Sequence, residues 1–267
     1  MPPRFWTELA WPDFEAGDAA SWIAVLPLTA VEQHGPHLPL GTDLIIMQHV
    51  IARLVQALPD DLPAIFLPPQ PVGLSPEHEA FPGTLSLAVD SALSGWTAIG
   101  EGVARAGVRR LVLLNSHGGN SAVMDLVARE LRRHFGLLVV TVSLSRFGVP
   151  GGLLPPEEVA HGVHAGAVET ALMQAFRPDL VRSGELAEFA PKTFDMESRF
   201  THLRAARPAG FGWMTQDLHP SGALGNATLA SAEDGERIAA HLVRCTAELL
   251  ADVAAFDPDD LADGPLD

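Results

Sequence analysis

The first group of residues that could do chemistry lies in residues 30–43, a segment rich in glycine and proline that contains Glu32, His34 and Asp43. Glu32 and His34 are two residues apart, so in extended backbone their side chains point to the same side. Imidazole and carboxylate ligands of this kind suit zinc, manganese or iron(II). Asp43 alone could simply cap a following helix, and His34 could be a surface loop residue. The three together favour half of a metal site.

A second segment, residues 115–120, places His117 and the pair Gly118-Gly119 after the apolar run RRLVLL. Glycines let a substrate approach the backbone closely, and N–H groups at the start of a helix can face a developing oxyanion. A glycine-rich turn with a capping asparagine explains this segment, taken alone, equally well.

A third segment, residues 161–170, carries His164 and Glu169. A separation of five is not ideal for one helix face, but the two side chains can line one cleft if His164 precedes the first turn. Glu169 could be an exposed charge. Its apolar neighbours favour a buried carboxylate instead, and such a group needs a partner, for which a metal ion is well suited.

A fourth segment, residues 73–84, contains Ser75 and His78 among turn-forming glycines and prolines. It is a candidate substrate-binding loop, with a plain surface loop as the alternative.

The elements that would position these residues follow from the alternation of apolar runs with helical patterns, which predicts a parallel sheet wrapped by helices. The predicted strands are residues 22–28, 64–67, 109–114 and 137–144. The predicted helices are residues 43–58, 88–106, 120–134, 164–176 and 232–253, whereas residues 178–219 are rich in loops. Because ligands bind beyond the carboxyl ends of strands in open α/β sheets, the polar segments that follow strands are expected to share one site.

A length of 267 residues fits one large α/β domain or two small domains, and we predict a single domain over residues 1–256 followed by an acidic tail over residues 257–267. The only cysteine, Cys245, lies in an apolar helical pattern typical of a core residue, and it excludes an intrachain disulfide. The first residues lack the pattern of a signal peptide, and no apolar run approaches the ~20 residues of a spanning helix. We therefore expect a cytoplasmic protein.

The formal net charge of −16 argues against binding to nucleic acid or to anionic membranes, since both require a basic surface. The mean hydropathy of +0.17 is high for a soluble monomer. Apolar surface buried between subunits is the simplest explanation, so we expect a homo-oligomer.

Five motifs occur in order along most of the chain and together resemble the creatininase (creatinine amidohydrolase) family: VEQHGPHLPLGTD, GLSPEHEAFPGT, LLNSHGGN, HAGAVETALM and GALGNATLASAEDGERI. The resemblance implies a three-layer α/β/α fold with a mostly parallel sheet flanked by helices, a two-metal centre and a hexamer. It also implies that Glu32, His34, Asp43 and His117 are ligands, with Asp43 as the bridge. By analogy with members that share the Gly-Gly form of the third motif, Glu169 completes the site.

Two positions depart from the members of that family that open creatinine. Those members carry a glutamate ligand two residues after the histidine that matches His117, where this chain has Gly119. They also carry a tryptophan four residues before the histidine that matches His164, where this chain has Ala160. Creatinine is therefore not the expected substrate.

The prediction is a metal-dependent amidohydrolase in which two divalent ions, zinc foremost and otherwise manganese or iron, activate water to cleave a cyclic amide, a formamide or a short peptide. His164 is the candidate proton shuttle, a role suited to an unperturbed pKa near ~6.5. The chain has no tyrosine and no G-x-S-x-G motif, which excludes phenol catalysis and disfavours a serine hydrolase. A catalytically silent homologue that binds a small molecule, or a metal-dependent hydrolase of a carbohydrate-like ring, remains an alternative.

Overall fold

The computed structural model describes residues 3–262 and residue 264, and four parallel strands form its main sheet. They are β1 (Ile23–Leu28), β2 (Ala64–Phe66), β3 (Arg110–Asn115) and β4 (Leu138–Ser143), in the order β2-β1-β3-β4. β1 pairs with β3 along its whole length, from Ile23 opposite Arg110 to Leu28 opposite Asn115. All four predicted strands are confirmed, because each is a short apolar run bounded by turn residues.

Helices cover both faces of the sheet. After α1 (Trp11–Ala16), one face is covered by α2 (Thr42–Ala57), α6 (Ala167–Phe176) and α9 (Ala232–Ala255). The other face is covered by α3 (Val89–Arg105) and α4 (Ser121–Phe135). The α/β class, with a mostly parallel sheet flanked by helices in three layers, is confirmed.

The core consists of two clusters separated by the sheet. Ile23 and Val25 pack with the layer of α2, α6 and α9, whereas Ala24 and Leu26 pack with α3 and α4. Successive side chains of a strand point to opposite faces, and a parallel sheet covered on both faces is apolar on both. The uninterrupted apolar sequence of β1 follows from this.

The predicted helix over residues 164–176 was wrong at its start, since α6 begins only at Ala167. His164 forms an isolated β-bridge with Leu224 instead. Ala165 then adopts φ +53°, in the left-handed region that a right-handed helix cannot include. A short helix that the sequence did not predict, α5 (Pro156–His161), precedes this turn.

Residues 178–219 contain only short elements, as the loop-rich sequence predicted. They include β5 (Glu188–Phe189), α7 (Thr193–Arg199) and α8 (Thr215–Leu218) besides two 3-10 turns, and β5 pairs in antiparallel fashion with β6 (Gly225–Asn226).

The predicted acidic tail, residues 257–267, lies partly outside the described residues. Within the described part, Pro258 is buried, Asp259 forms an ion pair with Arg109 at 2.5 Å, and the carbonyl oxygen of Ala262 accepts a hydrogen bond from Arg132. The domain boundary at residue 256 stays a prediction. Cys245 is half-buried in α9 with a free thiol. Across residues 3–262 and 264, each helix is too short or too polar to cross a lipid bilayer.

Candidate metal centre

The predicted ligands meet at the carboxyl ends of β1 and β3. Glu32 and His34 follow β1, and His117 follows β3, while Asp43 lies in the first turn of α2. Because β1 and β3 are parallel neighbours, the loops after them leave the sheet side by side. All four side chains are buried.

Local hydrogen bonds fix the position of the loop after β1 relative to the loop after β3. The N–H of Glu32 donates to the carbonyl oxygen of Leu40 at 2.9 Å, which closes the loop between β1 and α2. The hydroxyl of Ser116 donates to the carbonyl oxygen of Asp43 at 3.1 Å and ties the start of α2 to the end of β3. These contacts bring the side chain of Asp43 close to those of Glu32 and His117.

The helix-cap explanation of Asp43 is wrong. α2 begins at Thr42 after Gly41, and its N-terminus has no side-chain cap. Oδ2 of Asp43 is instead directed into the centre, 3.8 Å from Nε2 of His34 and 3.8 Å from Nδ1 of His117.

Two groups of potential ligand atoms share Asp43. Glu32, Asp43 and His117 form one group, and His34, Asp43 and Glu169 form the other, with the atoms of each group within 4.8 Å of one another. Oε1 of Glu32 lies 3.0 Å from Nδ1 of His117, and Oε2 of Glu169 lies 3.8 Å from Nε2 of His34. The geometry suits two ions that share one carboxylate.

The atoms that face this space lack partners. Oε2 of Glu32, Nε2 of His34 and Oδ2 of Asp43 are buried without a hydrogen bond to any described residue. Burying polar and charged groups in this way is costly unless something compensates them. A divalent cation would do so, and this donor set of imidazoles and carboxylates fits one.

The outer nitrogens of the two ligand histidines are already bonded. Nδ1 of His34 donates to the carbonyl oxygen of Glu32 at 3.0 Å, and Nε2 of His117 donates to that of Leu74 at 2.6 Å. A carbonyl oxygen only accepts, so each ring carries a proton on its outer nitrogen, and its inner nitrogen faces the space where an ion would displace any proton held there. This arrangement is typical of histidine ligands of metals.

The electrostatics of the ion-free site show a shortage of positive charge. Burial, followed by the negative charge of Glu32, raises the pKa of Asp43 well above its ordinary value. Burial alone would lower the pKa of His117, but the charges of Glu32, Asp43 and Glu77 outweigh it and raise that pKa to about 10. Protons are thus retained where a bound cation would otherwise balance the carboxylates.

Glu169 reaches the centre because of the unusual turn before α6. The N–H of Ala165, whose φ is +53°, donates to Oε2 of Glu169 at 2.5 Å. This bond holds the carboxylate toward His34 despite the unfavourable spacing from His164.

His164, the predicted catalytic residue, lies at the edge of the centre. Its Nε2 donates to the carbonyl oxygen of Gln33 at 2.7 Å, and its Nδ1 lies 3.7 Å from Oε1 of Glu32. Its ring packs on that of His34 with centroids 4.2 Å apart. The inward nitrogen of His164 is therefore an acceptor.

The predicted substrate-binding residues lie nearby but differ in their surroundings. Oγ of Ser75 lies 3.4 Å from Nε2 of His117, and Nε2 of His78 lies 3.4 Å from Oε1 of Glu32. A β-carbon on Gly118 would meet no atom within 4 Å. A β-carbon on Gly119 would overlap the carbonyl oxygen of Leu74 and would also crowd His117.

Two residues of the site were missed by the sequence analysis. Oε1 of Glu77 lies 3.6 Å from Nε2 of His117 and would be 2.7 Å from a β-carbon on Gly119. Gln33 contacts both His78 and His164. A cavity of about 320 Å³, lined in part by Leu40 and Phe81, opens beside Gln33. The sequence offered one signal for these two residues, their position: Gln33 lies between the predicted ligands Glu32 and His34, and Glu77 lies next to His78.

Known proteins with similar sequences and structures share this fold and length. The model of the family described as creatinine amidohydrolase matches residues 7–250. The chain is 31% identical over 229 residues to the mycofactocin precursor peptide peptidase of Mycolicibacterium smegmatis, covering 85% of this chain and 83% of that protein. It is 32% identical over 249 residues to the creatinine amidohydrolase of Pseudomonas putida, covering 86% of this chain and 90% of that protein.

Solved structures give the same result. A crystal structure of creatinine amidohydrolase superposes with a TM-score of 0.75 at 31% identity and covers 94% of this chain and 98% of its own. Two further creatininase structures, one described as a manganese form and one as a mutant of zinc–zinc type, each give a TM-score of 0.74 at 30% identity.

Proposed function

The chain belongs to the creatininase family and is a hydrolase of carbon–nitrogen bonds, and from this we propose that it cleaves the amide bond of a small molecule with two bound divalent ions. The observation that carries the proposal is the set of buried, unpartnered ligand atoms arranged on either side of Asp43. A catalytically silent homologue would have no need to keep these groups buried without partners.

We propose that Glu32, Asp43 and His117 hold one ion, and that His34, Asp43 and Glu169 hold the other. Zinc is the first candidate and manganese or iron the alternative, which the zinc–zinc and manganese forms of related structures support. Bound divalent ions polarise a carbonyl group and lower the pKa of water toward ~7, so that water attacks the amide carbon at neutral pH.

His164 is proposed to carry the proton to the leaving nitrogen. Its Nδ1 faces the centre as an acceptor, because its Nε2 donates to the carbonyl oxygen of Gln33. Burial, followed by the charge of His34, lowers the pKa of His164 to about 4. Once protonated, this imidazole therefore gives up its proton readily to a more basic amine.

The proposed substrates are cyclic amides, formamides and short peptides, in the cytoplasm. Creatinine is not proposed, because Gly119 and Ala160 replace the residues expected for it. The relatives that act on creatinine and on a precursor peptide support the range of amides to be screened. Hydrolysis of these three classes by the metal-loaded protein, measured by release of amine, tests the proposal. Failure with all three would contradict it.

Metal content tests the two-ion centre without any substrate. We expect one to two ions per chain after reconstitution with zinc or manganese, because two ligand groups share Asp43. Elemental analysis of the desalted protein measures this. Less than one ion per chain after reconstitution would rule out the centre.

The oligomeric state can also be tested without a substrate. We propose a homohexamer, on the family resemblance and the mean hydropathy of +0.17. Trp11 and Val163 are among the apolar side chains left exposed on the isolated chain. Light scattering is expected to give six times the chain mass of 28.4 kDa. A monomer at micromolar concentration would contradict this prediction.

A further inference from the structure

The side-chain amide of Gln33 has a fixed orientation. Its Oε1 lies 2.9 Å from the backbone nitrogen of Gly35, and its Nε2 lies 3.0 Å from the carbonyl oxygen of Gly222. A backbone N–H only donates and a carbonyl oxygen only accepts. The two contacts therefore fix which end of the amide is oxygen and which is nitrogen, a choice that electron density alone seldom makes.

This orientation determines where His78 carries its proton. Nε2 of Gln33 lies 2.7 Å from Nδ1 of His78. An amide nitrogen cannot accept a hydrogen bond, so Nδ1 of His78 must be the acceptor, and the neutral ring carries its proton on Nε2. The hydroxyl of Thr215, 2.9 Å from the same Nδ1, is compatible because it can donate to that nitrogen or to the carbonyl oxygen of Glu77.

The remaining neighbour of the amide does not compete. Nε2 of His164 lies 3.2 Å from Nε2 of Gln33, but its own proton goes to the carbonyl oxygen of Gln33 at 2.7 Å. The two amide protons are thus used by His78 and Gly222.

The N–H of His78 points into the metal centre. Its Nε2 lies 3.4 Å from Oε1 of Glu32 and 3.9 Å from Oε1 of Glu77. Both approaches are longer than ordinary hydrogen bonds to nitrogen, and Oε1 of Glu32 lies closer to Nδ1 of His117, at 3.0 Å. This N–H of a buried side chain thus makes no ordinary hydrogen bond to a described residue and is available at the edge of the centre.

His78 and His164 therefore present opposite groups to the same space. Their rings pack together with centroids 4.3 Å apart. His164 shows an acceptor, Nδ1, and His78 shows a donor, Nε2–H. An amide carbonyl that becomes an oxyanion needs a donor, and a preorganised donor in a water-poor site stabilises that charge strongly.

We propose that His78 donates its Nε2–H to the carbonyl oxygen of the amide as negative charge develops there, and that Gln33 is the positioning residue that fixes His78 in the donating tautomer. The catalytic consequence rests on the proposed hydrolase function. The tautomer itself does not, and it can be measured without a substrate.

The first test is neutron diffraction from crystals of the deuterated, zinc-loaded protein. We expect deuterium on Nε2 of His78 and none on Nδ1. In the Gln33→Glu variant the opposite tautomer of His78 is expected. A carboxylate can only accept a hydrogen bond, so the deuterium of His78 should then lie on Nδ1. Deuterium on Nδ1 in the wild-type protein would overturn the proposal, whatever the activity screen yields.

The second test is kinetic and uses an amide that the wild-type protein hydrolyses. Gln33→Glu is expected to lower kcat at least about 10-fold with little change in KM, since it removes a donor used in the transition state. Gln70→Glu is the matched control, because within the described part of the chain the side-chain amide of Gln70 hydrogen-bonds only to the carbonyl oxygen of Pro68, and the activity of this variant should be normal. An unchanged kcat in a Gln33→Glu protein with inverted tautomer would disprove the role of His78.

A third pair of variants keeps the proposal testable if Gln33→Glu does not fold. His78→Gln retains a side-chain N–H donor, whereas His78→Leu does not. With equal zinc content, His78→Gln is expected to retain at least about 10 times the kcat of His78→Leu. Equal losses in both would contradict a hydrogen-bonding role.

Discussion

Asp43→Asn is expected to lose stoichiometric metal and to lower turnover by more than the roughly 100-fold that follows loss of an indirect, hydrogen-bonding partner of a metal ligand. Asp43 belongs to both ligand groups, so the change weakens both ions at once. The fold should survive, because the side chain of Asp43 caps nothing at the start of α2 and its Oδ2 has no partner.

The melting temperature separates this outcome from simple unfolding. The raised pKa of Asp43 shows that its ionised carboxylate is costly to bury in the ion-free site, and a neutral amide avoids this cost, so the metal-free variant should melt no lower than the metal-free wild-type protein. Added zinc should then stabilise only the wild-type protein, by about 2.7 kcal/mol at a concentration 100 times the dissociation constant.

Asp90→Asn supplies the matched control for Asp43→Asn. Asp90 is also an acidic residue in the first turn of a helix, α3, but it is exposed. Metal content and turnover should be unchanged in this variant. Wild-type metal content and turnover in Asp43→Asn would reject a shared ligand and with it the two-ion model.

Gly119→Ala is expected to destabilise the protein and to disturb the centre together. The new β-carbon would overlap the carbonyl oxygen of Leu74, which accepts the hydrogen bond of His117, and would crowd Glu77. Overpacking of this kind costs about 1–3 kcal/mol. We expect a lower melting temperature and weaker zinc binding, measured by thermal unfolding and by titration with a competing chelator.

Gly118→Ala is the internal control, since its β-carbon would meet nothing within 4 Å. Stability and zinc affinity should be close to those of the wild-type protein. If Gly119→Ala behaved like Gly118→Ala, the close packing of Leu74 and Glu77 around position 119 would be refuted. The same packing predicts that a single Gly119→Glu substitution would not place a glutamate ligand at this position.

The strands and most of the proposed ligand set could be predicted because both depend on local rules. Apolar runs marked β1 and β3, and parallel pairing brings the residues after them together. Glu32, His34 and His117 therefore meet without any information about tertiary packing beyond the strand order.

The parts that could not be predicted depend on contacts between distant segments. Ala165 enters the left-handed region beside a bridge between His164 and Leu224, which no spacing rule within residues 161–170 reveals. The orientation of Gln33 depends on Gly222, far along the chain. Alternation along an extended segment directs Gln33 away from its neighbours Glu32 and His34, so its position between two ligands was the only signal in the sequence and did not predict its contacts.

The pairing of β1 with β3 has a consequence for the order in which the molecule folds. Ile23 of β1 pairs with Arg110 of β3, and α2, β2 and α3 lie between these two strands in the sequence. β1 can therefore pair with β3 along its whole length only after all of these elements have been synthesised. The conformational entropy of such a long loop is lost before the contacts between the strands can stabilise the sheet, and this slows the folding of parallel sheets. The proposed ligands run from Glu32 to Glu169, so an intermediate lacking this pairing has no complete centre. Metal binding would then occur late in folding and would stabilise only chains whose strands have already paired correctly.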